Sequence, residues 1–399
     1  MKRLLGRSMP FFLYCSGLGA LMLSDVLVSR YASPEQVVSW AKTRSLIAIL
    51  GIVATMGLDQ LLMRRPEAAQ RIVKLALVQL LPLSACAALL SSLVSQGTGG
   101  PLIFTILLFG SGLSYIAFQY FRSRDRKLLS QFSQQGWKLL LLCLVFLSFM
   151  GVPLAPYAAI AVAISILTIV NLTSLVTCDA IQFRGWFTLK EVAVLYRSSL
   201  PLMSLSVLLA AATTGEQLFV TDLAPPSEAA RYFAHAVFFQ YPVSILNGYI
   251  AFWIGPWLLR HRSNVVTIAR LSWRKWLLLT VMVSSVIHVA GLVAWKLLFV
   301  ADSETSLRLL FFLVSLLRTV DVFASSYNGV LSSEGAQYRL IGLYCIDFAT
   351  AVLLGIALCD APSLSLGVPI IVAACNCVHW GLRTISGIWL MLKESKASS

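Results

Sequence analysis

Stretches of about twenty apolar residues, each closed by a charge cluster or a turn residue, follow one another along the whole chain. They predict twelve transmembrane helices, over residues 8–28, 45–63, 75–94, 101–121, 134–152 and 157–176, then 199–220, 232–258, 276–300, 309–330, 340–359 and 366–392. The runs are too long for the short alternating strands of a membrane β-barrel. The connections are short, and none is large enough to form a soluble domain.

Composition narrows this further. Of 399 residues, 58% are hydrophobic and only 12% charged, about half the charge of a soluble domain. A water-soluble enzyme and a disordered chain are both excluded. Met1, Lys2 and Arg3 form a basic start. The apolar stretch behind them passes Val28 without a small-residue cleavage site, so it reads as a permanent first helix. The eight cysteines fall almost entirely inside apolar runs and read as small hydrophobes. Cys375, Cys377 and His379 lie close in sequence but on different helical faces, which favours packing over a metal site.

A net charge of +14 suggests nucleic-acid binding until its placement is considered. The basic residues sit in short clusters between spans. With the N-terminus cytoplasmic, the inner segments collect Arg64, Arg65, Arg71, Lys74, Arg122, Arg124, Arg126, Lys127, Lys138, Arg184, Lys190, Arg197, Arg260 and Arg262. The outer side keeps Arg30, Lys42, Arg44, Arg231 and Arg308. Twelve spans with both termini inside therefore satisfy the positive-inside rule, and nucleic acid is not a partner.

The connection 177–198 divides the chain into a first bundle, 1–176, and a second, 199–399. The halves read as parallel repeats: Val28, Ala32 and Pro34 align with Val220, Ala224 and Pro226, and Trp40 with Tyr232. Each copy then runs through one apolar span into a basic cluster, Arg64-Arg65 or Arg260-His261-Arg262. The expected fold is all-α, with two pseudo-repeated six-helix bundles. A cleft between such halves is where a transport path is expected.

The stretch Val28-Ser29-Arg30-Tyr31-Ala32-Ser33-Pro34-Glu35, followed by Gly57-Leu58-Asp59-Gln60-Leu61-Leu62-Met63-Arg64, resembles the first hairpin of bacterial polysaccharide flippases. These belong to the multidrug/oligosaccharidyl-lipid/polysaccharide exporter superfamily. The residue-level match covers about the first 65 positions, and the remainder matches in topology and repeat layout. A glycine often follows the Ser-Pro-Glu loop in that family, where this chain has Ser39-Trp40. The resemblance implies two lobes facing each other in a V. It also implies movement of undecaprenyl-pyrophosphate-linked oligosaccharides from the cytoplasmic to the periplasmic leaflet of a bacterial inner membrane. Polysaccharide polymerase and chain-length proteins would be partners, alongside membrane lipids.

Charges inside spans cost several kcal/mol unless paired or wetted, so they are the candidate functional residues. Arg318 and Asp321, three residues apart, share one helical face. They read either as a structural ion pair or as a phosphate-binding arginine steadied by its neighbour. Arg383 invites the same two readings. Asp347 is expected to pair with Arg318 or Arg383, Asp59 with Arg64-Arg65, and Lys296 to snorkel to the interface. Asp25 and Glu216 hold nearly matching places in the two repeats. Each reads as a proton- or sodium-coupling carboxylate or as a group reaching outer water. Asp321 and Asp347 join them as coupling candidates.

Lys42 and Arg44, expected in or near the first outer loop, either line an anion path or are solvated loop charges. The substrate-binding candidates are thus Arg318, Arg383, Arg44 and Lys42. Pro82, Pro201 and Pro242 would kink their helices. No phosphate loop, serine elbow or zinc-protease motif is present, so neither catalysis nor a cofactor is expected. Three other readings stand beside the flippase: a cation-coupled multidrug exporter of the same superfamily, a polysaccharide polymerase, and a non-transporting scaffold. Central arginines count against the first, and the lack of a large outer loop against the second.

Overall fold

The computed structural model describes residues 2–94, 100–152, 155–178, 180, 187–248, 250, 265–299, 303–331, 334–360 and 367–397. Arg184, Arg260, His261 and Arg262, and the end of the expected 232–258 span, lie outside these. Among the described residues the chain is helical, with no strand. Among the described residues ten helices, against the twelve expected over the whole chain, are long and apolar enough to cross a membrane, which makes this a multi-pass membrane protein.

Contacts divide the chain into two compact units, Met1–Leu218 and Phe219–Ser399. The first holds α1 (Lys2–Tyr31), α2 (Pro34–Thr55), α3 (Leu58–Arg64), α4 (Ala69–Val94), α5 (Pro101–Ser123), α6 (Lys127–Phe149) and α7 (Pro156–Thr177). It also holds most of α8 (Leu189–Leu223). Residues 189–198, expected in the connection between bundles, are the first turns of that helix. In this unit α1 packs on α6, while α5 contacts α2, α3, α4, α6 and α7. Small residues permit the crowding around α5. A Cβ on Gly112 would fall 2.5 Å from the Leu80 methyl. The second unit holds α9 (Pro226–Phe239), α10 (Val265–Leu298), α11 (Thr305–Leu331), α12 (Glu334–Cys359) and α13 (Val368–Ala397). Here α13 packs on α11 and α12, and α9 on α10 and α11.

Two of the helix starts that precede the hydropathy reading carry charges into a helix. Helix α2 begins at Pro34, not at Ser45, because Ser33-Pro34-Glu35-Gln36 is a helix-start signal. The Ser33 hydroxyl accepts from the Gln36 N–H, the Gln36 side chain accepts from the Ser33 N–H, and proline takes the first helical position. Lys42 and Arg44 are therefore inside a helix rather than in an outer loop. Likewise α6 begins at Lys127, so Lys138, counted above with the inner-side charges, lies well within a span.

The turn between α2 and α3 explains the Gly57-Leu58 pair. Gly57 sits at φ 74°, and a Cβ there would meet the backbone of α8, with Met203 N at 2.8 Å. Leu58 is fully buried in the core below. Gly57→Ala is expected to destabilise the protein by about 1–3 kcal/mol from backbone strain alone, before any shift of α8. Thermal unfolding in detergent measures it. Gly19→Ala, whose Cβ meets nothing within 4 Å, is the matched control. Asp59, expected to pair with Arg64-Arg65, is held instead by the Thr55 hydroxyl at 2.8 Å and the Gln60 amide at 3.1 Å. It lies buried in the first turn of α3, whereas Arg65 reaches the Ser198 hydroxyl at 3.3 Å.

Candidate functional site

The first unit contains a cavity of about 170 Å³ among α1, α2, α5, α6 and α7, its wall part apolar (Leu21, Ile47, Ile160, Ile164) and part charged or polar. Arg44 and Lys138 supply its charge, and Ser111, Ser114, Tyr115 and Gln134 much of its polar lining. Asp25, fully buried on α1, forms an ion pair with Arg44. Its Oδ1 also accepts from the indole N–H of Trp40 at 2.8 Å. Trp40 is itself fully buried. Residues 40 and 44 stand one turn apart on α2, so one helical face presents both groups to Asp25. Lys138 donates to Gln135 at 2.7 Å, and Asn171 donates to Ser114 at 3.2 Å.

Two cations and one carboxylate leave this site formally positive by one. Its chemistry is that of an anion receptor. A guanidinium offers paired donors to a phosphate or carboxylate, and an ammonium adds a point charge. Asp25 fixes Arg44 and keeps it partly neutralised, while its second oxygen, Oδ2, makes no hydrogen bond among the described residues.

Four other candidates come together in the second unit. Arg383 on α13 donates through Nε to Asp321 on α11 at 3.2 Å, with both side chains almost wholly buried. The Arg383 guanidinium lies 3.7 Å from the Tyr344 ring centre and 5.4 Å from that of Trp380. Arg318 lies 5.1 Å from the same indole. Asp347 on α12 accepts from the Ser386 hydroxyl at 3.4 Å, rather than pairing with either arginine by an ion contact. Asp321 thus takes its partner from another helix rather than from its neighbour Arg318. Two arginines and two aspartates balance formally, and the cluster joins α11, α12 and α13.

The remaining candidates lie apart from these. Lys42 is half-buried on α2 and does not line the cavity. Glu216 is buried on α8, where the next residue, Gln217, accepts from the Ser45 hydroxyl at 3.1 Å. Sequence reasoning missed Lys138 and Trp40. A signal existed for each: Lys138 follows Trp137 within an amphipathic run, and Trp40 follows the helix-start motif at 33–36.

No protein-family model and no curated protein sequence matches the chain. Solved structures do. The lipid II flippase MurJ in an inward closed conformation superposes with a TM-score of 0.68 at 14% identity, over 99% of this chain and 90% of that one. An inward-facing multidrug resistance MATE family transporter of the MOP superfamily gives 0.67 at 14% identity, over 99% of both chains. A MOP superfamily transporter from Pyrococcus furiosus gives 0.64 at 15% identity, over 98% and 95%. The chain therefore has the fold shared by these transporters.

Proposed function

We propose that the chain is a flippase for undecaprenyl-pyrophosphate-linked oligosaccharides, such as O-antigen, capsule or exopolysaccharide units. It moves them from the cytoplasmic to the periplasmic leaflet of a bacterial inner membrane by alternating access. The observation that carries this reading is the Arg44–Lys138 cavity, a basic pocket buried among membrane helices. Sustaining such charge there is costly, and an anionic ligand would offset the cost. The fold shared with a lipid-linked flippase supports the same reading.

In this reading the twelve spans form two six-helix bundles, 1–176 and 199–399, with both termini cytoplasmic. The polyprenyl tail stays in lipid and only the head group follows a polar path. Arg44 and Lys138 take the diphosphate or an acidic sugar. Arg318 and Arg383 offer a second pair of cations, and Lys42 attracts the anion from outside the cavity. Asp25, Glu216, Asp321 and Asp347 serve any proton or sodium coupling. Polymerase and chain-length proteins act on the product.

The orphaned oxygen of buried Asp25 favours a second reading, a cation-coupled multidrug exporter, for which a carboxylate in a membrane cavity is the expected feature. The two basic groups beside it weigh against a cationic cargo. The test is the transbilayer distribution of undecaprenyl-linked oligosaccharide in cells lacking the gene, rescued by wild type or by Arg318→Ala. Accumulation on the cytoplasmic leaflet, reversed by wild type, is expected. Rescue by Arg318→Ala as well would assign Arg318 to packing. An unchanged distribution would overturn the flippase and favour drug efflux.

A further inference from the structure

A second cavity, sharing no lining residue with the first, lies in the first unit where α4 and α8 both begin. It measures about 280 Å³ and is lined by Ala68, Arg71, Phe187, Lys190, Glu191, Val194 and Leu195. Phe187, Lys190, Glu191, Val194 and Leu195 recur at the spacing of one helical face, so the start of α8 presents a stripe with an apolar floor and a charged rim. Thr188 and Glu191 cap this start reciprocally: the Thr188 N–H donates to Glu191 at 3.0 Å, and the Glu191 N–H donates to Thr188 at 3.2 Å. The other oxygen of Glu191 reaches Arg71 on α4 at 3.2 Å, with that arginine's side chain 73% exposed. Lys74, one turn further along α4, lies 5.7 Å from the Phe187 ring centre.

Helix length and charge together argue for a membrane-surface position of this cavity. The 35 residues of α8 span about 50 Å, against about 30 Å of hydrocarbon. The charges gathered at its start, Arg71, Lys74, Lys190 and Glu191, assign that excess to the first turns of α8, in the headgroup layer. On them Leu189 is 89% exposed and Val194 54% exposed, a poor arrangement for water and a good one for lipid. Arg71, Lys74 and Lys190 against Glu191 leave the rim positive by two.

We propose that this cavity binds one anionic glycerophospholipid, its phosphate between Arg71 and Lys190 and an acyl segment over Phe187, Val194 and Leu195. Charge complementarity selects the occupant. A zwitterionic lipid gains little from a rim of this sign, and a soluble anion leaves the apolar floor uncovered. The volume lies just under the usual range for a drug-sized ligand, which suits a chain segment and a phosphate rather than a glycan. Bound there, the lipid competes with Glu191 for Arg71 and tethers the start of α8 to α4. The inference concerns binding alone and stands whether or not the chain is a flippase.

The test uses the full chain, solubilised from vesicles of equal phosphatidylglycerol and phosphatidylcholine, with retained lipid counted by mass spectrometry. Wild type is expected to retain phosphatidylglycerol over phosphatidylcholine about twenty-five-fold. Each basic residue contributes on the order of fivefold near an anionic lipid surface, so Arg71→Gln with Lys190→Gln should bring the ratio close to one. Arg71→Lys should keep most of it. Equal retention by wild type and the double variant would overturn the proposal. So would inorganic phosphate alone raising the melting temperature as much as phosphatidylglycerol does, since the occupant would then be an ion. If the double variant fails to fold, the same melting comparison on wild type decides, and equal temperatures with the two lipids overturn the site.

Discussion

Lys138→Glu is expected to lower affinity for a soluble diphosphate head-group analogue by about a hundredfold or more, because it replaces attraction by repulsion beside Arg44 in a buried site. The cavity would carry one cation and two carboxylates, and its sign would reverse. Asp25→Asn should act in the opposite direction. The amide keeps an acceptor for the Trp40 indole, yet it removes the charge that holds Arg44 half-neutralised. Analogue binding, read by calorimetry on the full chain, should therefore tighten. Transport need not follow, since a coupling role for Asp25 would make turnover fall while binding rises. If Lys138→Glu leaves binding unchanged and Asp25→Asn weakens it, the pocket does not receive anions, and the cation-exporter reading gains.

The second large effect belongs to Arg383. Arg383→Met should destabilise the protein by about 3–5 kcal/mol, because it leaves Asp321 charged and buried without its partner. The double variant Arg383→Met with Asp321→Leu should recover most of that loss, since no orphan charge remains. Thermal unfolding in one detergent, compared across the four proteins of the cycle, measures the coupling directly. The outcome also separates the two readings of Arg383. A packing residue yields a stability defect repaired by the double change, with transport repaired alongside. A substrate ligand yields a transport defect that the double change leaves in place.

Much of this protein is legible in one dimension. Long apolar runs fix the helices and the membrane, because an unpaired backbone has no other way through hydrocarbon. The Gly57-Leu58 pair marks a real turn, and its reason is steric: the backbone of α8 passes where a side chain would be. Asp25, Arg318, Asp321 and Arg383 stand out as well, because an ionisable residue in an apolar run is visible without any structure, whereas Lys138 does not.

Their partners were not legible. Hydropathy treats Lys42 and Arg44 as the edge of a span, while the capping residues at 33–36 carry the helix back past them. Lys138 looks like one more inner-side charge until α6 turns it toward Arg44's cavity. Trp40, where the flippase pattern often has glycine, proves to be the donor that holds Asp25. Asp321 bonds to Arg383, sixty-two positions away, and not to Arg318 on its own face. Which segments are helices is written locally, since that rests on apolarity and capping. Which charges meet is not written locally. Which face of each helix turns inward, and which neighbour it finds there, is set by side-chain packing among helices far apart in the chain.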